Sequence, residues 1–506
     1  MAADWLATLL VGRVRVPLLV TSSVLLTLAY PTTDWSLFAW VALVPLFASA
    51  LVRSPRQAFG DGWLMGTVFF ILLLRWLDHT FRHYSLIPWP LTWLPITGLA
   101  AYCGLYVGLV AALVSWLGRR VGAGWSLAMA PFLWVGAEWI RGQILSGFPW
   151  GLLGYSQYRQ LALIQIAEVT GVYGVSFLLV AVNAALVAAL ALGIRRALVL
   201  GTVAAALLIG TVAFGLARLG VPAPARTIRA AVVQPSIEQS LKWDPAHQAE
   251  TLRVYTTLTR EAGWAEPAII LWPETAAPIF LRRDPRLVAE LQVLSQEVRA
   301  PLLVGSVDGD QSGLYNSAFL LAGRGIIAKY DKIHLVPFGE YVPLARVIGF
   351  VRGWAEFISE FQAGVAPRVF GGEPAPFGVV ICYEGIFPEL FRQFVAGGAL
   401  YMVNITNDAW FGTTSGPWQH LAMLPFRAVE NRVAIARAAN TGVSAFVEPD
   451  GRITKTLGLF ERGVLSAGIP LRRGKTFYTR IGDLFAYAAL AISAAGLARG
   501  GLRRSR

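Results

Sequence analysis

Apolar residues gather in long runs at the two ends of this chain and in short runs through its middle. A membrane-crossing helix needs about 20 consecutive, mostly apolar residues. Seven stretches before residue 220 approach that length, near 14–30, 35–52, 60–77, 92–117, 123–140, 170–193 and 197–217, and an eighth lies near 481–498. Pro45, Gly60 and Asp61 interrupt or edge the second and third runs. The first run has no convincing small-residue cleavage site behind it, so it reads as a retained helix. The pattern predicts an α-helical membrane domain of eight transmembrane helices: seven over 1–220, and a C-terminal one with its tail over 476–506.

From 221 to 475 the texture changes. Short apolar strands alternate with amphipathic helical stretches. RAAVVQPS (229–236), AIILWPE (268–274), PLLVGSVD (301–308), SAFLLAG (317–323), GVVICYE (378–384) and ALYMVNITND (399–408) read as strands, and RGIIAKYDK (324–332) as the return of a hairpin. Helices are expected over 244–262, 284–300 and 417–438, with further strands near 443–448 and 463–468. This alternation predicts a layered α/β domain, an α–β–β–α sandwich.

Composition agrees with the split. Hydrophobic residues make up 56% of the 506, charged residues 14%, and mean hydropathy is +0.56. A wholly soluble or disordered chain is excluded, since soluble domains are about a quarter charged and disorder needs low hydrophobicity. The net charge of +13 would suit a nucleic-acid binder, but its distribution does not. Residues 226–475 carry 25 basic and 23 acidic side chains, whereas the flanks carry 18 and 7. Positive charge beside apolar runs is the pattern of membrane-protein loops, and no nucleic-acid partner is expected.

Arginine positions set an orientation. With a cytoplasmic N-terminus, twelve flank arginines lie inside, among them the pairs Arg119–Arg120 and Arg195–Arg196, against six outside. The positive-inside rule favours this arrangement. It puts both termini in the cytoplasm and the polar domain on the outer face. Glu138, in the fifth run, reads as one half of a pair with Arg141 at a helix end. GFPWGLLGYSQ (147–157) reads as a re-entrant or interfacial loop, or as part of an aromatic belt.

Two cysteines, Cys103 and Cys382, are too few for a disulfide framework. The five histidines are scattered, and no metal or other cofactor is expected. Candidate chemistry lies where strands open into loops. Glu274 closes ILWPE, Lys332 lies in KYDKIHLVPFGEYVP, and Cys382 lies in VVICYE. A carboxylate to take a thiol proton, a thiol, and an ammonium to hold an oxyanion make a complete nucleophilic set. Residue type alone leaves the matter open. A cysteine behind three apolar residues is more often core, Glu274 suits a helix cap equally, and Lys332 suits a solvated surface.

The sequence around these residues narrows the choice. LWPET, KYDKIHLVPFGEYVP, ICYEGIFPEL and NITNDAWFG resemble the nitrilase superfamily, whose catalytic set is Glu–Lys–Cys. HLVPFGEYVP with eight flanking spans, SLKWD (240–244), GFPWGLLGYSQ and GVYGVSFLLVAVNAAL (171–186) resemble its membrane-embedded branch, the apolipoprotein N-acyltransferase family. The resemblance implies Glu274 as general base, Cys382 as nucleophile, and Lys332 with the Tyr383 N–H as oxyanion holders. It implies supporting roles for Glu340 and Glu384. Trp243, Trp410 and Phe411 are expected to line an acyl path, and 346–362 to form an apolar arm dipping toward lipid.

The implied reaction moves an sn-1 acyl chain from a phospholipid, typically phosphatidylethanolamine, through a Cys382 thioester. The acceptor is the α-amine of a diacylglyceryl-cysteine at an apolipoprotein N-terminus. The implied location is the bacterial inner membrane, with a periplasmic catalytic domain. Nothing requires an oligomer, so a monomer is expected. An anchored amidase acting on a small soluble amide would share the three residues, but would leave eight spans and the arm unexplained. A transporter would need ionisable residues in several spans or repeated halves, and neither is present.

Overall fold

The computed structural model describes residues 12, 14–222, 224, 226–242, 244–342, 360–471 and 474–502. The chain divides into two compact units, one of 1–78, 90–221 and 481–506, the other of 79–89 and 222–480.

In the first unit every predicted apolar run carries helix, but the runs differ in reach. Among the described residues, four helices are long and apolar enough to cross a membrane: Trp93–Val121, Val172–Ala191, Ile194–Leu219 and Leu484–Leu502. A fifth is reached if Pro55–Leu73 and Leu77–Tyr84 count as one bent span. This is fewer than the eight expected. Arg15–Leu28 spans 14 residues, about 21 Å at 1.5 Å per residue, short of a hydrocarbon core of about 30 Å. The 35–52 run breaks into a 3-10 turn, Ser36–Trp40, and a short helix, Val44–Val52. Ala123–Arg141 has the length, but carries a buried Glu138 and an internal proline.

Polar residues in these runs are answered locally. Asp61 is buried on Pro55–Leu73, accepts from Ser49 Oγ at 2.6 Å and meets Arg53 Nε at 3.0 Å. Glu138 and Arg141, expected to pair, each bond other partners. Glu138 accepts from the Trp134 indole (3.0 Å) and from the Leu153 N–H (2.7 Å). Arg141 donates to the carbonyls of Phe148 (2.8 Å) and Trp150 (2.7 Å). Together they fasten the 147–153 segment, whose Trp150, Leu152 and Leu153 are buried within this unit. Trp150 and Tyr155 are therefore packed inside rather than set in a belt.

The second unit is built on two sheets. The first runs in the order β12–β1–β2–β4–β5–β6, with β3 paired to β4. Its strands are β1 (Thr227–Gln234), β2 (Ile269–Leu271), β3 (Ala277–Phe280), β4 (Leu302–Asp310), β5 (Gly313–Ala322), β6 (Gly325–Asp331) and β12 (Gly463–Pro470). The second runs β11–β10–β9–β8–β7. It consists of β7 (Phe377–Ile381), β8 (Tyr401–Thr406), β9 (Ile435–Ala439), β10 (Ser444–Val447) and β11 (Ile453–Leu457). β1 and β2 run parallel, as do β2 with β4 and β7 with β8 and β9. These parallel strands are almost wholly buried, which is why they read as unbroken apolar runs.

The helices Gln248–Gly263 and Pro285–Glu297 cover the first sheet, and Pro388–Ala396 and Gly416–Asn431 pack on the second. β1 meets β9 between the sheets, giving the expected α–β–β–α layering. One predicted element is corrected. The helix expected over 417–438 stops at Asn431, where Arg432 turns left-handed (φ 51°), and β9 follows. β3, β11 and Pro388–Ala396 were not anticipated.

Candidate active site

β2 is three residues long and fully buried. Trp272, just beyond it, stacks on Tyr255 at 4.5 Å and donates its indole N–H to Thr259 at 2.9 Å. That anchorage fixes where the chain turns out at Pro273–Glu274. Glu274 is buried. Its Oε1 accepts from Asn316 Nδ2 at 2.7 Å and lies 3.5 Å from Lys332 Nζ. Its Oε2 accepts from the Asn407 N–H at 2.9 Å.

Lys332 follows the end of β6, and its N–H is held by the Asn316 carbonyl at 2.8 Å. The ammonium is 1% exposed and bonds Glu340 at 2.9 Å. Glu340 also accepts from Asn316 Nδ2 (2.9 Å) and the Val336 N–H (2.8 Å). Burial opposes the charge on Lys332, but Glu340 and Glu274 outweigh it and hold its pKa above the ordinary lysine value. Lys332 is a buried cation, where residue type alone suited a solvated surface.

Cys382 stands where β7 enters a short 3-10 turn, with a left-handed φ of 51°. Such a backbone costs about 1–3 kcal/mol and persists only where its surroundings over-determine it. Here they do. The Cys382 carbonyl accepts from His420 Nε2 at 3.2 Å and from Asn404 Nδ2 at 3.5 Å. A carbonyl has no proton to give, so that contact is made by an Nε2 proton, while Nδ1 lies 3.1 Å from Asp408 Oδ1 and 3.2 Å from Arg437. Behind His420, Arg437 bonds Asp408 (2.6 Å) and also Asn404, while Thr406 Oγ1 donates to Asp408 at 2.9 Å. All are buried. Burial would raise the Asp408 carboxyl, but Arg437 and His420 reverse this and hold it well below the usual range. Burial, then Arg437, lowers His420.

Burial pushes the Cys382 thiol well up, Glu274 pushes it further, and Lys332 only partly offsets them. Cys382 therefore rests as a thiol. No cluster of three or more metal-type ligands occurs among the described residues.

Glu384 is a clamp. Its Oε1 accepts from Tyr330 OH (2.8 Å) and the N–H groups of Ile333 (2.7 Å) and His334 (3.1 Å). Its Oε2 accepts from the Ile381 N–H at 2.7 Å. It thus ties the residue before Cys382 to the two after Lys332. Burial raises its carboxyl to about 7, against the pull of these donors. Tyr383 opens the turn after the cysteine, its ring edge-on to Phe387 at 5.0 Å.

The aromatic candidates divide. Phe411 lies edge-on to His420 at 6.4 Å. The Trp410 carbonyl accepts from Thr80 Oγ1 at 2.8 Å, and its ring meets Tyr84 at 4.7 Å. Trp243 and nearly all of the 346–362 arm lie outside the described residues. Asn316, His420, Asn404 and Arg437 were missed from sequence. Asn404 and Asp408 stood in the quoted NITND motif, but Asn316 and His420 had no spacing signal.

Comparison with known proteins follows the same division. Residues 22–185 match the model of the apolipoprotein N-acyltransferase N-terminal domain, and residues 229–477 match that of the carbon-nitrogen hydrolases. An apolipoprotein N-acyltransferase of Geobacter metallireducens is 41% identical over 93% of this chain and 92% of its own. One of Rhodopseudomonas palustris is 33% identical over 92% and 89%. Among solved structures, Saccharomyces cerevisiae Nit3, a nitrilase-superfamily member, aligns at 21% identity over 49% of this chain and 92% of its own, with a TM-score of 0.39. With whole-length identity of this order and both family regions matched in sequence, the chain belongs to the apolipoprotein N-acyltransferase family.

Proposed function

We propose that this protein transfers the sn-1 acyl chain of a phospholipid, phosphatidylethanolamine foremost, to the α-amine of a diacylglyceryl-cysteine at an apolipoprotein N-terminus. The catalytic domain, 221–475, works on the periplasmic side of a bacterial inner membrane, carried by 1–220 and 476–506. The observation that carries the reading is the convergence of Glu274, Lys332 and Cys382 in a chain of this family. A buried carboxylate, a buried fixed ammonium and a protonated thiol bear on one another electrostatically.

In the first half-reaction Glu274 takes the Cys382 proton as sulfur attacks the ester carbonyl. Lys332 and the Tyr383 N–H stabilise the oxyanion. The carbon–oxygen bond breaks, the Glu274 proton passes to the departing lysophospholipid, and a thioester remains. In the second, the neutral amine attacks the thioester and Glu274 accepts its proton. Collapse forms the amide, and the proton returns to the cysteine sulfur. Glu340 keeps Lys332 placed, and Glu384 holds the two strand ends. Water must be excluded while the thioester waits, or the enzyme becomes a phospholipase. Of the aromatic residues expected there, Trp410 and Phe411 lie among the described residues and are our candidates for that lining.

The test is incubation with phosphatidylethanolamine labelled in the sn-1 chain, without acceptor, followed by mass spectrometry. An acyl group on Cys382, absent in Cys382→Ser and chased onto a diacylglyceryl peptide, is expected. No adduct, with hydrolysis of small amides instead, would replace this reading with an anchored amidase.

A further inference from the structure

Lys242 has no part in the chemistry above, yet it lies beside it. It ends the one-turn helix Gln239–Lys242 and is 2% exposed. Its ammonium donates to the Glu274 carbonyl at 3.0 Å and to Thr275 Oγ1 at 2.6 Å. Thr275 has a φ of 45°, a conformation that β-branched residues rarely adopt. Two bonds from one buried cation thus secure the backbone from which the Glu274 side chain springs.

The same helix reaches that carboxylate from the other side. Gln239 Oε1 accepts from Asn407 Nδ2 at 2.7 Å, and the Asn407 N–H donates to Glu274 Oε2 at 2.9 Å. A neutral amide could make bonds like those of Lys242 without the cost of burying a charge. The charge therefore calls for an explanation beyond anchorage. The ionisable groups acting on it are Glu274, from the loop after β2, and Cys382, from the end of β7. Glu238, just before its helix, acts on Tyr84.

We propose that Lys242 is a positioning residue for acyl transfer, aligning Glu274 through its backbone while its charge favours the thiolate forming at Cys382. This rests on the reading of Glu274 as the base for Cys382. Burial lowers the Lys242 ammonium to about 8, with Glu274 opposing. Below that pH it is charged and the site is poised; above it the charge is gone and acylation slows.

The experiment is the single-turnover rate of Cys382 acylation from labelled phosphatidylethanolamine, without acceptor, from about pH 6 to about pH 10, spanning the lysine range. The wild type should lose rate with a midpoint near 8. Lys242→Arg stays charged and should keep activity while losing that alkaline limb. Lys242→Met should be slower by about 10- to 100-fold at the acid end, the size of a small misplacement of a reacting group, and flat above. Thr275→Val removes one anchor but keeps the charge; it should lower the midpoint, and it carries the test if the Lys242 variants do not fold. A purely structural lysine would lower the melting temperature and leave every pH profile alike. An unchanged alkaline limb in both Lys242→Arg and Thr275→Val, or wild-type rates in Lys242→Met, overturns the inference. A wild type that forms no acyl-enzyme removes the reading of Cys382 itself, and this inference with it.

Discussion

Glu384 shows how one buried carboxylate can shape a site without reacting. It collects three main-chain N–H groups and a phenol, from Ile381 on one side and Tyr330, Ile333 and His334 on the other. Glu384→Gln puts an amide N–H against at least one of these donors. Leaving a buried donor unmet costs about 1–3 kcal/mol. Above its titration, at about pH 8, the variant is expected to melt lower than wild type in detergent and to acylate Cys382 more slowly. An unchanged melting temperature would rule out the clamp. At this scale the sequence was legible in part. Glu274, Lys332 and Cys382 stood out because each closes or follows an apolar strand inside a dense motif. Asn316 and His420 did not, because their partners are 42 and 38 residues away, a distance that only the folded sheets bridge.

Among elements, the membrane unit relies on helices brought within backbone contact. Gly62 and Gly66 on Pro55–Leu73 face Gly104 and Gly108 on Trp93–Val121. A Cβ on Gly104 would sit 2.8 Å from the Thr67 nitrogen and 3.0 Å from the Trp63 carbonyl; one on Gly108 would sit 2.9 Å from the Phe59 carbonyl. Small residues four apart on both helices permit this approach where lipid supplies no hydrophobic drive. Gly104→Val must push backbone from backbone, so destabilisation of at least about 1–3 kcal/mol is expected. Gly98→Ala, in open space on the same helix, should be neutral or better. Melting of the two variants in detergent decides it, and equal melting would mean that the helices do not pack so closely. The apolar runs announced all these helices but not their lengths. The same ambiguity joined β9 to the helix before it. VAIARAA has no period that separates strand from helix, and pairing with β8 settles it.

For the whole molecule, orientation follows from fewer helices than the eight first counted. Val172–Ala191 and Ile194–Leu219 both have spanning length, and two residues join them. If each crosses once, Arg195–Arg196 at their junction and the chain leaving Leu219 are expected on opposite sides, whatever the earlier runs do. The positive-inside rule then favours a cytoplasmic junction, and the proposed outer-face position of the residues from 222 onward is what it predicts. A crossing by Leu484–Leu502 would return Arg499 to that basic side. Both native cysteines are buried, which makes introduced cysteines readable. Val365 is fully exposed in the catalytic unit, and Ile194 is exposed beside the arginine pair. In intact spheroplasts a membrane-impermeant maleimide should label Val365→Cys at once, and Ile194→Cys only after lysis. The reverse order would place the catalytic unit in the cytoplasm. A lipoprotein whose N-terminal cysteine is modified outside could then not be its acceptor, and the acyl transfer proposed above would have to give way with the orientation.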